Sequence, residues 1–428
     1  MHAATTALVT RRRRPAPWDG AVTLDGLFAR AAARRPTAVA VADGDRSITY
    51  EGAERRSARL ATSILRSGVQ LGDPVLVHCV DHVQALVAQL AVLKVGAVCV
   101  PVPADADPAV RERIAPVGAA GLVLCSGATR SHWRLPAVVL DDERTWARIT
   151  PLRIDRSLPR SGPTDAAYLL VERDPVSPPT GHLIDHRAWL LALADRVRRA
   201  GRAERGVLCS QEPCSADTLT AMWWSIAAGG TLHGRQPVGG AAGLAAPRAV
   251  PGRIGSAVFT PHAYADVLAA TVRRPVPGPG TVVVVGEPCP PALVARHFDV
   301  LPHTRLLTEF SPLDGALPWA SFDHAAPGGG RPGTRPGAFV AGGAAPRVRI
   351  TVRDDVGRAL PTGSTGEIWA SGAALPFDRL GSRGPGAAHG TPFAVSRYRG
   401  RWNEDGLLEV TGPRERSEAP ILPELAGQ

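Results

Sequence analysis

Lysine is almost missing from this chain. Lys94 is the only one, and every other basic side chain among the 49 lysines and arginines is an arginine. Together with 45 glycines and 40 prolines, this is the mark of a GC-rich coding bias. The formal charge of +10 is therefore weak evidence for nucleic acid, because the arginines are spread along the chain instead of lining one segment. The six cysteines (Cys79, Cys99, Cys125, Cys209, Cys214, Cys289) lie apart. No C-x-x-C pair or clustered Cys/His spacing occurs, which argues against a zinc site. Buried free thiols in a reducing cytoplasm are expected instead. No segment is long and apolar enough to span a membrane. Arg11 to Arg14 have no apolar run behind them, so the start of the chain is not a secretory signal but a solvated tail.

What is present is enough for more than one core: 428 residues, 44% of them hydrophobic. Residues 1–17 read as a disordered Arg-rich tail. Leu24, Leu27, Phe28 and Ala31 have helical spacing. Two strands follow, around Val39 to Val41 and Ser47 to Tyr50, joined at Asp43-Gly44-Asp45. Ala53 to Gly68 reads as an amphipathic helix, Asp73 to Cys79 as a strand, Val83 to Val95 as a buried helix stopped by Gly96, and Ala97 to Val102 as the next strand. Lys94 is expected to snorkel from that helix end. Strand and helix keep alternating through Gly206 to Ser210, Ser215 to Gly229, Ala257 to Thr271 and Thr281 to Val285. This predicts an α/β fold of two mostly parallel sheet subdomains covered by helices, over residues 18–320. After a Pro/Gly-rich join at Pro327 to Pro336, the hairpins at Arg347 to Ser371 and Ala394 to Gly412 predict a smaller, antiparallel, barrel-like subdomain over 321–412. Residues 413–428 read as a truncated hinge and tail.

The stretch from Asp165 to Trp189 organises the rest. Ala166 to Val171 is a nearly all-apolar strand; a polar loop with Pro175, Pro178 and Pro179 follows; Gly181, Leu183 and Ile184 lead to Asp185-His186-Arg187 and a helix. It resembles the phosphate-binding segment of the adenylate-forming synthetases, A-Y-x-x-Y-T-S-G-S-T-G-x-P-K-G-V-x-x-x-H. That superfamily includes acyl-CoA synthetases and the adenylation domains of nonribosomal peptide synthetases. Ala167, Tyr168, Pro179, Gly181 and His186 sit where the family has the same residue. The similarity continues in order. SITYEGAERRSARLA looks like L-T-Y-x-E-L-x-x-x-A-x-x-L-A, and LKVGAVCVPV looks like L-K-A-G-G-A-Y-V-P-L. Met222, Trp223, Trp224, Gly229, Thr231 and Leu232 match F-D-x-S-x-x-E-M-W-x-x-L-x-x-G and the residues after it. Core packing is the preferred role for both tryptophans.

The departures fall on the chemistry. T-S-G-S-T-G reads Glu172, Arg173, Asp174, Pro175, Val176, Ser177, and the loop lysine reads Thr180. A phosphate loop needs small residues whose N–H groups converge on an anion. Here Pro175 has no N–H, and two carboxylates stand where a triphosphate approaches. The aspartate that grips an α-ammonium aligns with Ala216, with Asp217 one residue off, so this pair marks a remnant substrate pocket. Gly286 and Glu287 resemble the G-G-E that meets adenine, and Phe310 keeps the adenine-side aromatic. Leu313 replaces a phosphate-binding hydroxyl. Asp314 replaces the magnesium-holding glutamate; it reads equally as a weak metal ligand or a surface aspartate. Counting back from Arg401-Trp402, the ribose-binding aspartate becomes Tyr398, and no lysine follows to serve acylation. Pro361-Thr-Gly-Ser-Thr-Gly366 has the letters of a phosphate loop but precedes a strand, so it reads as a turn.

Two functions follow from the resemblance. One is a catalytically degenerate adenylation-like protein that acts as a scaffold, regulatory partner or acyl-ligand binder beside an active synthetase or carrier protein. The other is an active acyl- or aminoacyl-adenylating enzyme using ATP and magnesium, with Arg173, Arg397 and Arg399 in place of lysines and a lid supplied in trans. A third class, nucleic-acid binding through the arginine tail, predicts steeply salt-dependent affinity.

Overall fold

A computed structural model describes residues 23–118, 120–171, 180–203, 206–209, 211–234, 254–273, 278–312, 317–325, 339–380 and 393–413. The chain opens with α1 (Leu24–Arg34), β1 (Val39–Asp43), β2 (Arg46–Thr49), α2 (Tyr50–Arg66), β3 (Pro74–His78), α3 (His82–Val95) and β4 (Val98–Pro101). Next come α4 (Pro108–Gly118), β5 (Leu122–Cys125), α5 (Gly127–Arg130), β6 (Ala137–Val139), α6 (Glu143–Ile149), β7 (Ala166–Val171), β8 (Gly181–Asp185) and α7 (His186–Ala200). Then follow β9 (Val207–Cys209), α8 (Ala216–Ala228), β10 (Leu232–His233), β11 (Ser256–Phe259), α9 (Pro261–Arg273), β12 (Thr281–Gly286), α10 (Pro291–Val300) and β13 (Arg305–Phe310). The last strands are β14 (Ala320–His324), β15 (Phe339–Ala344), β16 (Arg349–Arg353), β17 (Gly366–Ser371), β18 (Asp378–Leu380), β19 (Phe393–Trp402) and β20 (Leu408–Pro413).

Helix α3 is the axis of the molecule. All of its residues are buried, because it lies between β3 and β4 of one sheet and β1 and β2 of the other. That is why it lacks a polar face. Asp81 starts it by accepting a hydrogen bond from the Gln84 N–H at 2.7 Å, and Gly96 ends it with φ of 77°. Each fully buried leucine or valine of this helix contributes about 1.5–3 kcal/mol. Lys94 does not snorkel. It is 5% exposed, and its ammonium donates to Glu54 at 2.7 Å. Helices α1 and α2 cover the end of α3, so the charge is met inside by a carboxylate and not outside by water.

The first sheet has the order β18-β8-β7-β4-β3-β5-β6. It is parallel from β7 to β6 and antiparallel where β8 folds back on β7 and β18 adds to β8. The second sheet has thirteen strands and is parallel from β1 through β10, β9, β11 and β12 to β13. From β13 it runs on antiparallel through β14, β15, β20, β19, β17 and β16. The expected barrel-like closure is therefore not seen among the described residues. Among the described residues β16 pairs only with β17, so the antiparallel strands extend an open sheet. Trp223 and Trp224 are fully buried, as expected of core residues. The Trp223 indole donates to the Tyr168 hydroxyl at 3.0 Å, which donates to Gln89 at 2.8 Å, joining α8, β7 and α3 across the seam. Residues 361–366 form a turn into β17, with no helix after it.

Candidate functional site

Parallel strands present their C-terminal ends, and the loops leaving them, on one side of a sheet. In the second sheet these ends are Asp43, Cys209, His233, Phe259, Gly286 and Phe310. Gly286 has φ of 100°, a left-handed conformation that suits glycine, and it turns the chain sharply to Glu287. The Ser311 N–H donates to the Gly286 carbonyl at 2.8 Å, tying the ends of β12 and β13 together. Helix α8 begins beside them. Ser215 caps it, accepting from the Thr218 N–H at 3.2 Å, which places Ala216 and Asp217 in its first turn. Ala216 packs against the main core. The Asp217 carboxylate lies 3.9 Å from the position a Cβ would take at Gly286. The substrate pair and the nucleotide pair suggested by the sequence thus meet at one place.

Phe310 is 2% exposed, and Tyr398, reaching in from β19, packs on it edge to face with ring centroids 5.6 Å apart. The neighbouring Arg397 comes within 3.8 Å of Glu287. Its guanidinium lies 5.8 Å from the Tyr398 ring centre. Arg399 points elsewhere, 3.6 Å from Asp355. Leu313, Asp314 and residues 172–179 lie outside the described residues, as do the N-terminal tail, the join at 327–336 and residues 414–428. Among the described residues no group of three His, Cys, Asp or Glu side chains is placed to hold a metal.

Two buried contacts lie away from the strand ends. Glu309, one residue before Phe310, points to the opposite side of β13 and is 2% exposed. Arg196 of α7 holds it in a fork, with one N–H at 2.9 Å and a second, shorter contact, and also donates to the Thr220 carbonyl of α8 at 3.1 Å. His186, singled out by the phosphate-segment motif, is buried and accepts the Leu24 N–H at 3.0 Å through Nδ1. Burial lowers its pKa to about 4, so the ring is neutral and acts as an acceptor. Only the pairing of these residues in the fold reveals either contact.

Residues 28–375 match the family model described as AMP-binding enzyme. The chain belongs to the AMP-binding enzyme family. Among relatives of this AMP-binding chain, the probable non-canonical nonribosomal peptide synthetase CymA of Salinispora arenicola is 28% identical over 92% of the chain. The phosphinothricin tripeptide synthetase PhsC of Streptomyces viridochromogenes is 27% identical over 91% of it. The chain spans only 5% and 36% of those two proteins. Its fold is that of solved adenylation proteins. It superposes on the nonribosomal peptide synthetase FmoA3 with a TM-score of 0.77 at 21% identity, covering 92% of this chain and 42% of that one. It also superposes on the N-terminal subdomain of Klebsiella oxytoca NpsA, solved with 3-hydroxybenzoyl-AMSN, with a TM-score of 0.72 at 18% identity, covering 91% and 99%. No described helix is long and apolar enough to cross a membrane.

Proposed function

We propose that this member of the AMP-binding family is catalytically degenerate. It serves as a non-catalytic partner, either scaffold, regulator or acyl-ligand binder, beside an active synthetase or its carrier protein. The observation that carries this reading is the seat of Tyr398. At the position aligned with the ribose-binding carboxylate, a phenol ring packs against Phe310 at 5.6 Å. A phenol offers one oxygen where a carboxylate would offer two to a pair of hydroxyls. Glu287, beside Gly286 at the end of β12, faces Arg397. The described residues therefore fit a nucleotide poorly. Adenylation also needs fixed positive charge on the departing pyrophosphate, and losing one such donor costs about a hundredfold or more in rate. The family's loop lysine is Thr180 here.

The alternative, an active ligase using arginines, finds less support. Arg397 and Arg399 already lie beside Glu287 and Asp355. Carboxylate-dependent exchange of pyrophosphate into ATP tests the choice, using a panel of amino and aryl acids with a lid domain added in trans. The degenerate reading expects exchange at the no-protein level for every acid. Exchange that depends on one acid and is lost in Arg397→Ala would establish the active reading instead.

A further inference from the structure

The strand that carries Tyr398 is irregular at that point. Between β17 and β19, Trp369 pairs with Val395 and Glu367 pairs with Arg399. One residue of β17, Ile368, therefore lies opposite three of β19, Ser396, Arg397 and Tyr398, so β19 carries two extra residues there. A bulge of this kind bends its strand and re-aims side chains. The Ser396 hydroxyl closes it. Its Oγ accepts the Tyr398 N–H at 3.0 Å and donates to the Tyr398 carbonyl at 2.9 Å, and Ser396 is itself 1% exposed. Two neighbouring side chains of the bulge reach the strand-end site. Arg397 comes within 3.8 Å of Glu287, but both are well exposed, so that pair contributes little. The ring of Tyr398 packs on Phe310. Phe310 is 2% exposed, so with the ring in place it offers no open face to a flat ligand.

We propose that the bulge at Ser396 to Tyr398 is an internal plug, whose ring holds the seat on Phe310 that the base of a nucleoside would take. This plug, which rests on the degenerate reading of the strand-end site, leaves a stacking surface intact beneath it. Phe310 stands at the end of β13, and the bond from the Ser311 N–H to the Gly286 carbonyl keeps that end aligned with β12. Every base has a π-face, and stacking one on an aromatic side chain raises affinity roughly 5- to 150-fold. The Tyr398 ring competes for the same face but is tethered, at an effective concentration of about millimolar or more. A free nucleoside below that concentration therefore loses to it.

Calorimetric titration of the full chain with adenosine tests this, because adenosine has no phosphate and the altered phosphate segment does not enter. The wild type and Tyr398→Phe, which keeps the ring, are expected to give no saturable heat at about millimolar adenosine. Tyr398→Ala is expected to bind saturably, at least about fivefold more tightly than either. Ser396→Ala keeps every ring and loosens the bulge; it is expected to gain affinity as well, and it decides the matter where Tyr398→Ala does not fold. A folded Tyr398→Ala that binds adenosine no better than wild type would overturn the plug. So would Tyr398→Phe binding as well as Tyr398→Ala, or, where Tyr398→Ala does not fold, Ser396→Ala without a gain. Pyrophosphate exchange by the wild type would instead overturn the degenerate reading, so the two fail separately.

Discussion

Replacing Arg196 by methionine should be among the most damaging single changes in the protein. Arg196 is 5% exposed and Glu309 is 2% exposed, and among the described residues Arg196 is the only side chain paired with Glu309. At an effective dielectric of about 20, charges at contact distance attract by roughly 4–5 kcal/mol. Burying the two ions costs several kcal/mol each, so the net value of the pair is small. Removing one partner is different. Arg196→Met leaves Glu309 buried without its cation, at a cost of about 3–5 kcal/mol, and removes the hydrogen bond to Thr220 for about 1 kcal/mol more. The melting midpoint should fall by roughly 4–7 °C for a chain of 428 residues. The double variant Arg196→Met, Glu309→Leu should recover most of the loss, because an apolar pair of similar size fills the space with no buried charge. Differential scanning calorimetry of the four proteins gives the coupling energy directly. The reasoning is refuted if the double variant melts at or below Arg196→Met, or if Arg196→Met melts within a degree or two of wild type.

Three further outcomes are expected. Burial lowers His186 and His78 to about 4, so folding is favoured while both rings are neutral, and this stability is lost as pH falls from about 6.5 toward 4. His186→Asn, whose side-chain oxygen can still accept from Leu24, should remove about 2 kcal/mol of the stability change between pH 6.5 and 5, read from urea unfolding; an unchanged pH profile would contradict the burial argument. All six thiols are free and buried, and burial raises Cys125 and Cys209 to about 11 and Cys214 and Cys289 to about 12, so a thiol reagent at pH 8 should react only after unfolding. Rapid labelling of the native chain would show that these cysteines are accessible. Lys94, 5% exposed and bound to Glu54, should resist amine-reactive esters until the chain unfolds, and peptide mapping that finds it modified in the native protein would place it outside.

The regular elements were readable wherever a long period governed the residues. The continuous apolar run of α3, ended by Gly96, and the amphipathic α2 appear in the structure within a few residues of their expected bounds. Short elements were less readable. β8 offers only Leu183 and Ile184 as an apolar pair, and its pairing with β7 comes from the chain folding back, not from local preference. A barrel-like closure is not seen among the described residues, since hairpin signals give local antiparallel pairs and say nothing about whether the outer strands meet. At the site, the resemblance marked Asp217, Gly286, Glu287 and Phe310, and the strand ends bring them together. The Tyr398 contact with Phe310, the Arg397 contact with Glu287 and the Arg196 fork on Glu309 join residues about 90 to 110 positions apart, and no local pattern encodes them. The burial of Lys94 has the same origin: its counter-ion Glu54 sits on another helix.

The central claim is that the strand-end site no longer holds a nucleotide. Calorimetric titration of the wild type with Mg-ATP and with AMP addresses it most directly, with Phe310→Ala as the comparison. The account predicts no saturable heat from millimolar AMP or Mg-ATP. Saturable AMP binding that disappears in Phe310→Ala would contradict it, and Tyr398 would then have to be read as part of a working nucleotide site.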